Sequence, residues 1–198
     1  MPKMIKFREI KAEIRVLGVI CSPVLHQRKT IPVIGVIYRG KMWLDGLIRT
    51  VIKKDGFDAT EKITEMVIRS PHYNQLRVIL LKEIVFADFN VVDINKVFKN
   101  TNLPVIVITD KKIDLRKVRA AIMRKSSWKR RWDALRRAGE VYPVKVGKSR
   151  HRIFIQIAGI SRQNAENVVK KTCLKGNIPE ALHAANVIAK EFGKIKID

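Results

Sequence analysis

Residues 14–20, with the sequence Ile-Arg-Val-Leu-Gly-Val-Ile, form an almost continuous apolar run. Such a run is typical of a β-strand that is buried on both faces of a sheet. A β-branched run follows at residues 31–38, and Arg39-Gly40-Lys41 has the composition of a hairpin turn. We expect the returning strand at residues 42–52, with a bulge at Asp45-Gly46. The first part of the chain therefore predicts three consecutive strands, two of them joined as a hairpin.

After residue 60, helical and strand patterns alternate. We predict helices at about 60–70, 88–99, 115–124 and 128–137, and two more after Ser161 and after Pro179. We predict strands at about 76–81, 103–108, 141–146 and 153–157. Ser161 and Asn164 have the spacing of a capped helix start. This order predicts an α/β fold with a mixed sheet, helices on both of its faces and a helical insertion.

The length and composition indicate a globular protein. The chain has 198 residues, of which 46% are hydrophobic and 30% are charged. We expect a single domain over residues 1–198, with the insertion at about 111–152. Two cysteines are too few for a disulfide scaffold, and there is neither an apolar run of membrane-spanning length nor a secretory signal. A cytoplasmic protein without a membrane partner is expected.

Net charge is the strongest signal in the composition. The chain has 41 Lys and Arg against 18 Asp and Glu, a net charge of +23 at pH 7. Self-repulsion of this size destabilises a compact state unless a polyanion neutralises it, and nucleic acid is the first candidate. An acidic membrane surface and a generally basic, thermophile-like composition are the alternatives.

More than half of the excess charge lies in residues 111–152, which hold 16 basic and 3 acidic residues. A solvated helix face would have the same composition, but arginine forks and lysine ammonium groups also suit phosphate oxygens. Such contacts give affinity and salt sensitivity with little sequence readout. The candidate nucleic-acid contacts are Arg116, Lys117, Arg119, Arg124, Lys125, Lys129, Arg130, Arg131, Arg136, Arg137, Lys145, Lys148, Arg150 and Arg152.

Two tryptophans accompany these charges. In a helix that begins near Ser127, Trp128, Trp132 and Leu135 fall on one face. The regular helical spacing favours packing against the domain over a platform on which bases stack.

Several short strings of sequence occur together in one known family. They are Glu13-Ile-Arg-Val-Leu-Gly-Val, Tyr38-Arg-Gly, Trp43-Leu-Asp-Gly, Asp55-Gly-Phe-Asp-Ala-Thr60, Phe89-Asn-Val-Val-Asp-Ile94, Leu103-Pro-Val-Ile-Val and Ile178-Pro-Glu180. With them, the chain resembles the archaeal domain-of-unknown-function 99 family. That family resembles endonuclease V, a metal-dependent nuclease, and residues 82–109 carry this second resemblance. The resemblance implies a ribonuclease H-like mixed sheet.

The resemblance also implies a magnesium site, and the chain departs from it. In the family pattern an Asp pair ends the first strand and Asp-Gly ends the fourth, whereas this chain has Ile20-Cys21 and Lys82-Glu83. An apolar side chain cannot bind Mg²⁺, a thiol is a poor ligand for a hard cation, and an ammonium group repels it. We therefore interpret Ile20, Cys21 and Lys82 as lost metal positions, and expect neither a metal nor another cofactor.

Three carboxylates remain for catalysis if the chain is active: Asp45, Asp58 and Glu83. Asp58 matches an acid that precedes the first helix in the family. Lys82 has two interpretations, either a phosphate-binding charge in the former active-site cleft or a solvated residue at a strand end.

The sequence predicts a non-catalytic RNA-binding protein that contacts phosphates through a basic surface. A high, scattered positive charge around a core without a catalytic set suits a protein buried in folded RNA. The expected partners are ribosomal RNA and neighbouring ribosomal proteins, in the ribosome or another ribonucleoprotein. The alternative is a divergent metal-dependent nuclease of the endonuclease V type. A basic adaptor for an acidic protein is a third hypothesis.

Overall fold

The sheet is the frame on which the other elements are placed. The computed structural model describes residues 4–24, 27–112, 114–147, 152–174 and 176–194. The main sheet contains β1 (Arg15–Cys21), β2 (Thr30–Arg39), β3 (Trp43–Lys53), β4 (Val78–Leu81), β7 (Val105–Thr109), β8 (Tyr142–Lys145) and β9 (Arg152–Ala158). A separate two-stranded ribbon contains β5 (Val85–Phe86) and β6 (Asn90–Val91).

The helices are α1 (Ala59–Ile68), α2 (Ile94–Thr101), α3 (Leu115–Met123), α4 (Trp128–Arg137), α5 (Arg162–Thr172) and α6 (Glu180–Lys194). The predicted cap of α5 is confirmed, because the Ser161 side chain accepts a hydrogen bond from the Asn164 backbone N–H. A search of the described residues finds no helix whose length and apolar character would let it cross a membrane.

The strand order of the main sheet is β3-β2-β1-β4-β7-β9-β8. The first three strands are antiparallel, β1, β4 and β7 are parallel, and β9 and β8 add an antiparallel edge. The mixed sheet predicted from the sequence is therefore confirmed. The bulge also lies where it was predicted: Ile37 pairs with Gly46 and Tyr38 with Leu44, which leaves Asp45 without a partner in the ladder.

One predicted helix begins later than expected. The pattern indicated a helix over about 88–99, whereas α2 starts at Ile94 and β5 and β6 precede it. Ala87 and Asp88 have positive φ angles of 43° and 70°, which a right-handed helix does not accommodate. Asp93 then caps α2 by accepting a hydrogen bond from the Lys96 backbone N–H.

Helices cover both faces of the sheet, as predicted. On one face, Leu17, Val19 and Leu81 belong to a core shared with α1 and α2. On the other, Leu80 and Ile106 share a core with α5 and the start of α6. Because successive strand residues point to opposite faces, both sides of each central strand are buried.

Helix α6 lies directly on β1. A Cβ atom on Gly18 would come within 2.5 Å of the Ala181 carbonyl carbon, so a side chain at residue 18 would push the helix away. The close approach also brings Ala185 and Ala189 against Ile20, near the end of β1. It thereby fixes one wall of the cleft described next.

Candidate nucleic-acid interface and strand-end cleft

The carboxyl ends of β1, β4 and β7 meet at one edge of the sheet. Because these strands are parallel and in register, Cys21, Lys82 and Asp110 come together at this edge. Ligand sites in sheets with parallel strands commonly form at this place. A cavity of about 440 Å³ opens here, and its lining includes Lys82, Glu83 and Asp110. We refer to this cavity, together with a smaller one that shares Lys82 and Glu83, as the cleft.

Lys82 forms an ion pair across the cleft. Its Nζ donates a hydrogen bond to Asp110 Oδ2 at 2.6 Å, and the Lys82 side chain is 18% exposed against 57% for Asp110. The Lys82 ammonium group therefore binds the Asp110 carboxylate at the ends of β4 and β7.

Ile20 belongs to a small core against α6. It is 8% exposed and shares that core with Ala185 and Ala189. A second cavity, of about 180 Å³, is bordered by Ile20, Cys21, Lys82 and Glu83. Neither the apolar side chain of Ile20 nor the ammonium group of Lys82 has a donor atom suited to Mg²⁺.

The other two groups in the cleft have raised pKa values. Desolvation raises the pKa of the Cys21 thiol to about 12, and Glu83 and Asp88 add to this effect. Partial desolvation also raises the pKa of Glu83; Lys82 acts in the opposite direction and Asp110 raises it further. The thiol is therefore protonated at neutral pH, which makes Cys21 a poor nucleophile and a poor metal ligand.

These donors do not fit a divalent metal site of the kind that the resemblance implies. Within the part of the chain that the structure describes, no group of three or more His, Cys, Asp or Glu side chains is arranged to hold a metal ion. Two-metal hydrolysis requires several carboxylates around one point, and Ile20 and Lys82 at the ends of β1 and β4 supply none.

The three residual carboxylates are not brought together. Asp45 lies near the start of β1, about 20 Å from Cys21 along a strand of seven residues, because β3 begins at the opposite end of the sheet. Asp58 accepts hydrogen bonds from the Lys53 backbone N–H at 3.1 Å and from Asn90 Nδ2 at 2.7 Å, so it braces the loop before α1. Of the three, Glu83 lines the cleft.

Because burial raises the thiol pKa, we expect Cys21 to resist alkylation in the folded protein. Iodoacetamide at about pH 8 should modify it much more slowly than a free thiol, whose pKa is about 8.5. Cys173, whose pKa burial also raises to about 12, should behave alike. Mass spectrometry with and without denaturant measures both rates. Modification of native Cys21 at the rate of an exposed thiol would contradict the expectation.

Most predicted basic contacts are exposed, and we refer to them as the basic surface. Helices α3 and α4 and the C-terminal cap of α3 carry most of them, and the paired strands β8 and β9 carry the rest at the cleft end of the sheet. The basic surface consists of Arg116, Lys117, Arg119, Arg124, Lys129, Arg130, Arg136, Lys145 and Arg152. Lys117 also lines the cleft. The predicted contacts Lys148 and Arg150 lie outside the described residues.

Three predicted contacts have structural partners instead. Arg131 is 3% exposed, so its interpretation as a surface contact is wrong: it donates to the backbone carbonyls of Asp55, Gly56 and Phe89. Arg137 pairs with the buried Asp93 at 2.8 Å. Lys125 pairs with Asp55 at 2.9 Å. These residues hold α4 and the turn before it against the domain.

The tryptophans pack as their spacing predicted. Trp128 and Trp132 are half-buried against the core that contains Leu135. The Arg119 guanidinium lies over the Trp132 ring at 5.7 Å and the Lys129 ammonium over the Trp128 ring at 5.9 Å, so basic side chains cover what remains of each ring.

Sequence reasoning missed Asp110, which lines the cleft, and Asp88, which helps to raise the pKa of Cys21. Asp110 follows β7 as Lys82 follows β4, and the parallel order of these strands would have placed them together. Asp88 has a positive φ and pairs with Lys54 at 3.4 Å, in a turn that the sequence assigned to a helix.

Comparison with known proteins gives one consistent result. A family model described as endonuclease dU matches residues 12–193. The chain is 43% identical over 185 residues to the UPF0215 protein of Methanothermobacter thermautotrophicus, covering 92% of this chain and 89% of that protein. The predicted resemblance to an archaeal family is thereby confirmed.

Solved structures agree. A protein of unknown function from Archaeoglobus fulgidus has a TM-score of 0.82 at 32% identity, covering 90% of this chain and 98% of that chain. Endonuclease V from Ciona intestinalis, in complex with a 24mer DNA containing an inosine followed by a ribo-adenosine, has a TM-score of 0.61 at 17% identity. That match covers 92% of this chain and 87% of the other. The chain therefore has the ribonuclease H-like fold of endonuclease V.

Proposed function

The chain belongs to the endonuclease dU family, and from this premise we propose that it binds nucleic acid without cleaving it. The ligand that we propose is structured RNA, with ribosomal RNA as the first candidate. The proposal has two parts, binding through the basic surface and loss of metal-dependent hydrolysis in the cleft.

The ion pair between Lys82 and Asp110 is the observation that carries the loss of hydrolysis. Lys82 puts a positive charge at the end of β4, and its 2.6 Å contact occupies the Asp110 carboxylate at the end of β7, where a metal-dependent nuclease needs free carboxylates. A unit charge about 4 Å from another of the same sign costs on the order of 4 kcal/mol at an effective dielectric constant near 20. A divalent cation would have to displace Lys82 from Asp110 before it could bind.

The basic surface supports the binding part. Its side chains are exposed on two helices and two paired strands, while the neighbouring Arg131, Arg137 and Lys125 hold the helices in place. Charges spread over more than one element suit phosphates that approach from several directions, as they do in folded RNA. The related endonuclease V from Ciona intestinalis, crystallised with DNA, supports a nucleic-acid ligand of this fold.

Titration with Mn²⁺ tests the loss of the metal site. By calorimetry we expect no saturable binding to the purified protein at millimolar metal, since Lys82 neutralises Asp110. Lys82→Asp restores one residue of the family pattern, and we expect this variant to gain binding. Micromolar binding by the unaltered protein that disappears in Asp110→Asn would contradict the proposal.

A nuclease with an altered site is the second candidate function. It is favoured by the description of the family and by Glu83, a carboxyl of raised pKa beside Asp110 that could accept a proton from water. Its substrate would be deoxyuridine-containing DNA, after that description. Cleavage that is lost in Glu83→Gln would support this second candidate.

A further inference from the structure

A row of three arginines lies at the end of the sheet opposite the cleft. Arg15 begins β1, and Arg39 at the end of β2 faces it in the antiparallel pair. Arg77 precedes β4, and its backbone N–H donates to the Arg15 carbonyl at 3.0 Å. Neighbouring strands are about 4.8 Å apart, so the three positions follow one another across three strands.

One carboxylate partly neutralises this row. Asp45 Oδ2 accepts from Arg15 Nε at 2.6 Å, and Asp45 Oδ1 lies 3.7 Å from Arg39 Nη2. Across the described ranges, no other carboxylate comes within ion-pair distance of the three arginines. Like charges on adjacent strands repel each other, so the row keeps an uncompensated positive charge.

Arg39 also has a buried donor without an acceptor. Its Nε is enclosed, and none of the described residues accepts a hydrogen bond from it. Because Nε is enclosed, a ligand oxygen would contact the Nη groups of this guanidinium, and the Arg39 side chain as a whole is 39% exposed. Arg77 is held in a fixed orientation, because its Nη1 donates to the carbonyls of Asn74 and Leu76 at 3.0 Å each.

The arginines border an open groove. Its volume is about 430 Å³, and its lining includes Arg15, Arg39 and Arg77. Lys11 adds a positive charge to the lining, while Glu9 and Glu13 are its acidic members and both are exposed. Guanidinium groups bind phosphate oxygens with paired, directional hydrogen bonds, and three arginines border this one space.

We propose that this groove is a second anion site that binds a phosphate group of the nucleic acid. The inference rests on the proposed function, and it adds a contact about 20 Å from the cleft, at the far end of β1. A nucleic acid that contacted both the cleft and this groove would extend along the whole length of the β-strands, which a folded RNA is large enough to do.

The test compares two double variants with equal net charge. Arg39→Gln/Arg77→Gln removes two guanidinium groups from the groove and leaves the pair between Arg15 and Asp45. Arg69→Gln/Lys99→Gln removes two exposed charges, one at the C-terminal cap of α1 and one in α2, and is the control. Calorimetric titrations use inorganic phosphate and adenosine monophosphate, and structured RNA is titrated over a range of salt. Thermal unfolding checks that each variant is folded.

We expect the groove variant to weaken phosphate and nucleotide binding about tenfold or more, because hydrogen bonds to charged groups are lost. The slope of log RNA affinity against log salt should fall by up to about two in the groove variant. The control should change neither the phosphate affinity nor this slope. Arg39→Lys/Arg77→Lys should be intermediate, since it keeps the charge but not the fork.

Equal behaviour of the groove and control variants would overturn the site. If the groove variant loses nucleotide binding but keeps its RNA affinity, the groove does not bind a phosphate of the nucleic acid. Its ligand would then be a free nucleotide. If the unaltered protein binds no RNA, the proposed function fails; the phosphate titration still supports or overturns the groove by itself.

Discussion

Reversing three charges of the basic surface is expected to lower the affinity for structured RNA on the order of a hundredfold near physiological salt. The variant is Arg116→Glu/Lys117→Glu/Arg136→Glu. All three side chains are exposed, and none forms an ion pair within the described residues, so the fold should be preserved. The effect is large because each change removes a phosphate contact and adds a repulsive carboxylate. Filter binding or fluorescence anisotropy over a range of salt measures it.

The slope of log affinity against log salt distinguishes the loss of direct phosphate contacts from the general effect of a lower net charge. Losing three phosphate contacts should reduce the slope by about two to three. Lys6→Glu/Arg69→Glu/Lys99→Glu lowers the net charge equally at exposed positions elsewhere and is the control. Equal losses of affinity in the two triple variants would show that the basic surface is not the interface.

Replacing Arg131 by methionine is expected to destabilise the protein by about 3 kcal/mol, because it leaves buried backbone carbonyls without donors. Arg131 donates to Asp55 O at 2.6 Å and Gly56 O at 3.0 Å, and it also bonds Phe89 O. Its guanidinium lies 4.1 Å from the centre of the Phe57 ring. Burial lowers the Arg131 pKa, with Asp55 acting in the opposite direction.

Thermal and chemical unfolding measure this effect, and the melting temperature should fall by roughly 6–12 °C for a chain of this size. Arg130→Met is the matched control: Arg130 is the next residue and also lies over Phe57, at 4.6 Å, but it is exposed. We expect a change within about 0.5 kcal/mol for the control. If both variants unfold alike, the carbonyl contacts of Arg131 do not anchor α4.

Local sequence patterns were sufficient where structure depends on neighbours in the chain. The cap at Ser161, the bulge at Asp45 and the bounds of α3 and α4 follow from turn chemistry and helical spacing. The pattern failed at Ala87 and Asp88, because it gave no sign of their left-handed backbone conformation. Such conformations in non-glycine residues are set by tertiary contacts.

The cleft was predicted only in part, because its groups come from distant segments. The sequence predicts Glu83 as a catalytic carboxylate, and it lies in the cleft; it predicts Asp45 as well, although β3 starts at the other end of the sheet. Asp58 accepts hydrogen bonds from the Lys53 backbone N–H and the Asn90 side chain, and sequence spacing does not reveal these contacts. Arg131 looked like its exposed neighbours in composition, and its burial follows from how α4 docks.

The central claim is that this chain binds nucleic acid and leaves it intact, and one assay measures both properties on the same sample. The protein is incubated with end-labelled structured RNA, and separately with deoxyuridine-containing DNA, in the presence of Mg²⁺ or Mn²⁺. A native gel measures the complex and a denaturing gel the integrity of the strand. We predict a shifted complex with uncut RNA, and no cut DNA. Metal-dependent cleavage by the pure protein that is abolished in Glu83→Gln or Asp110→Asn would contradict the account.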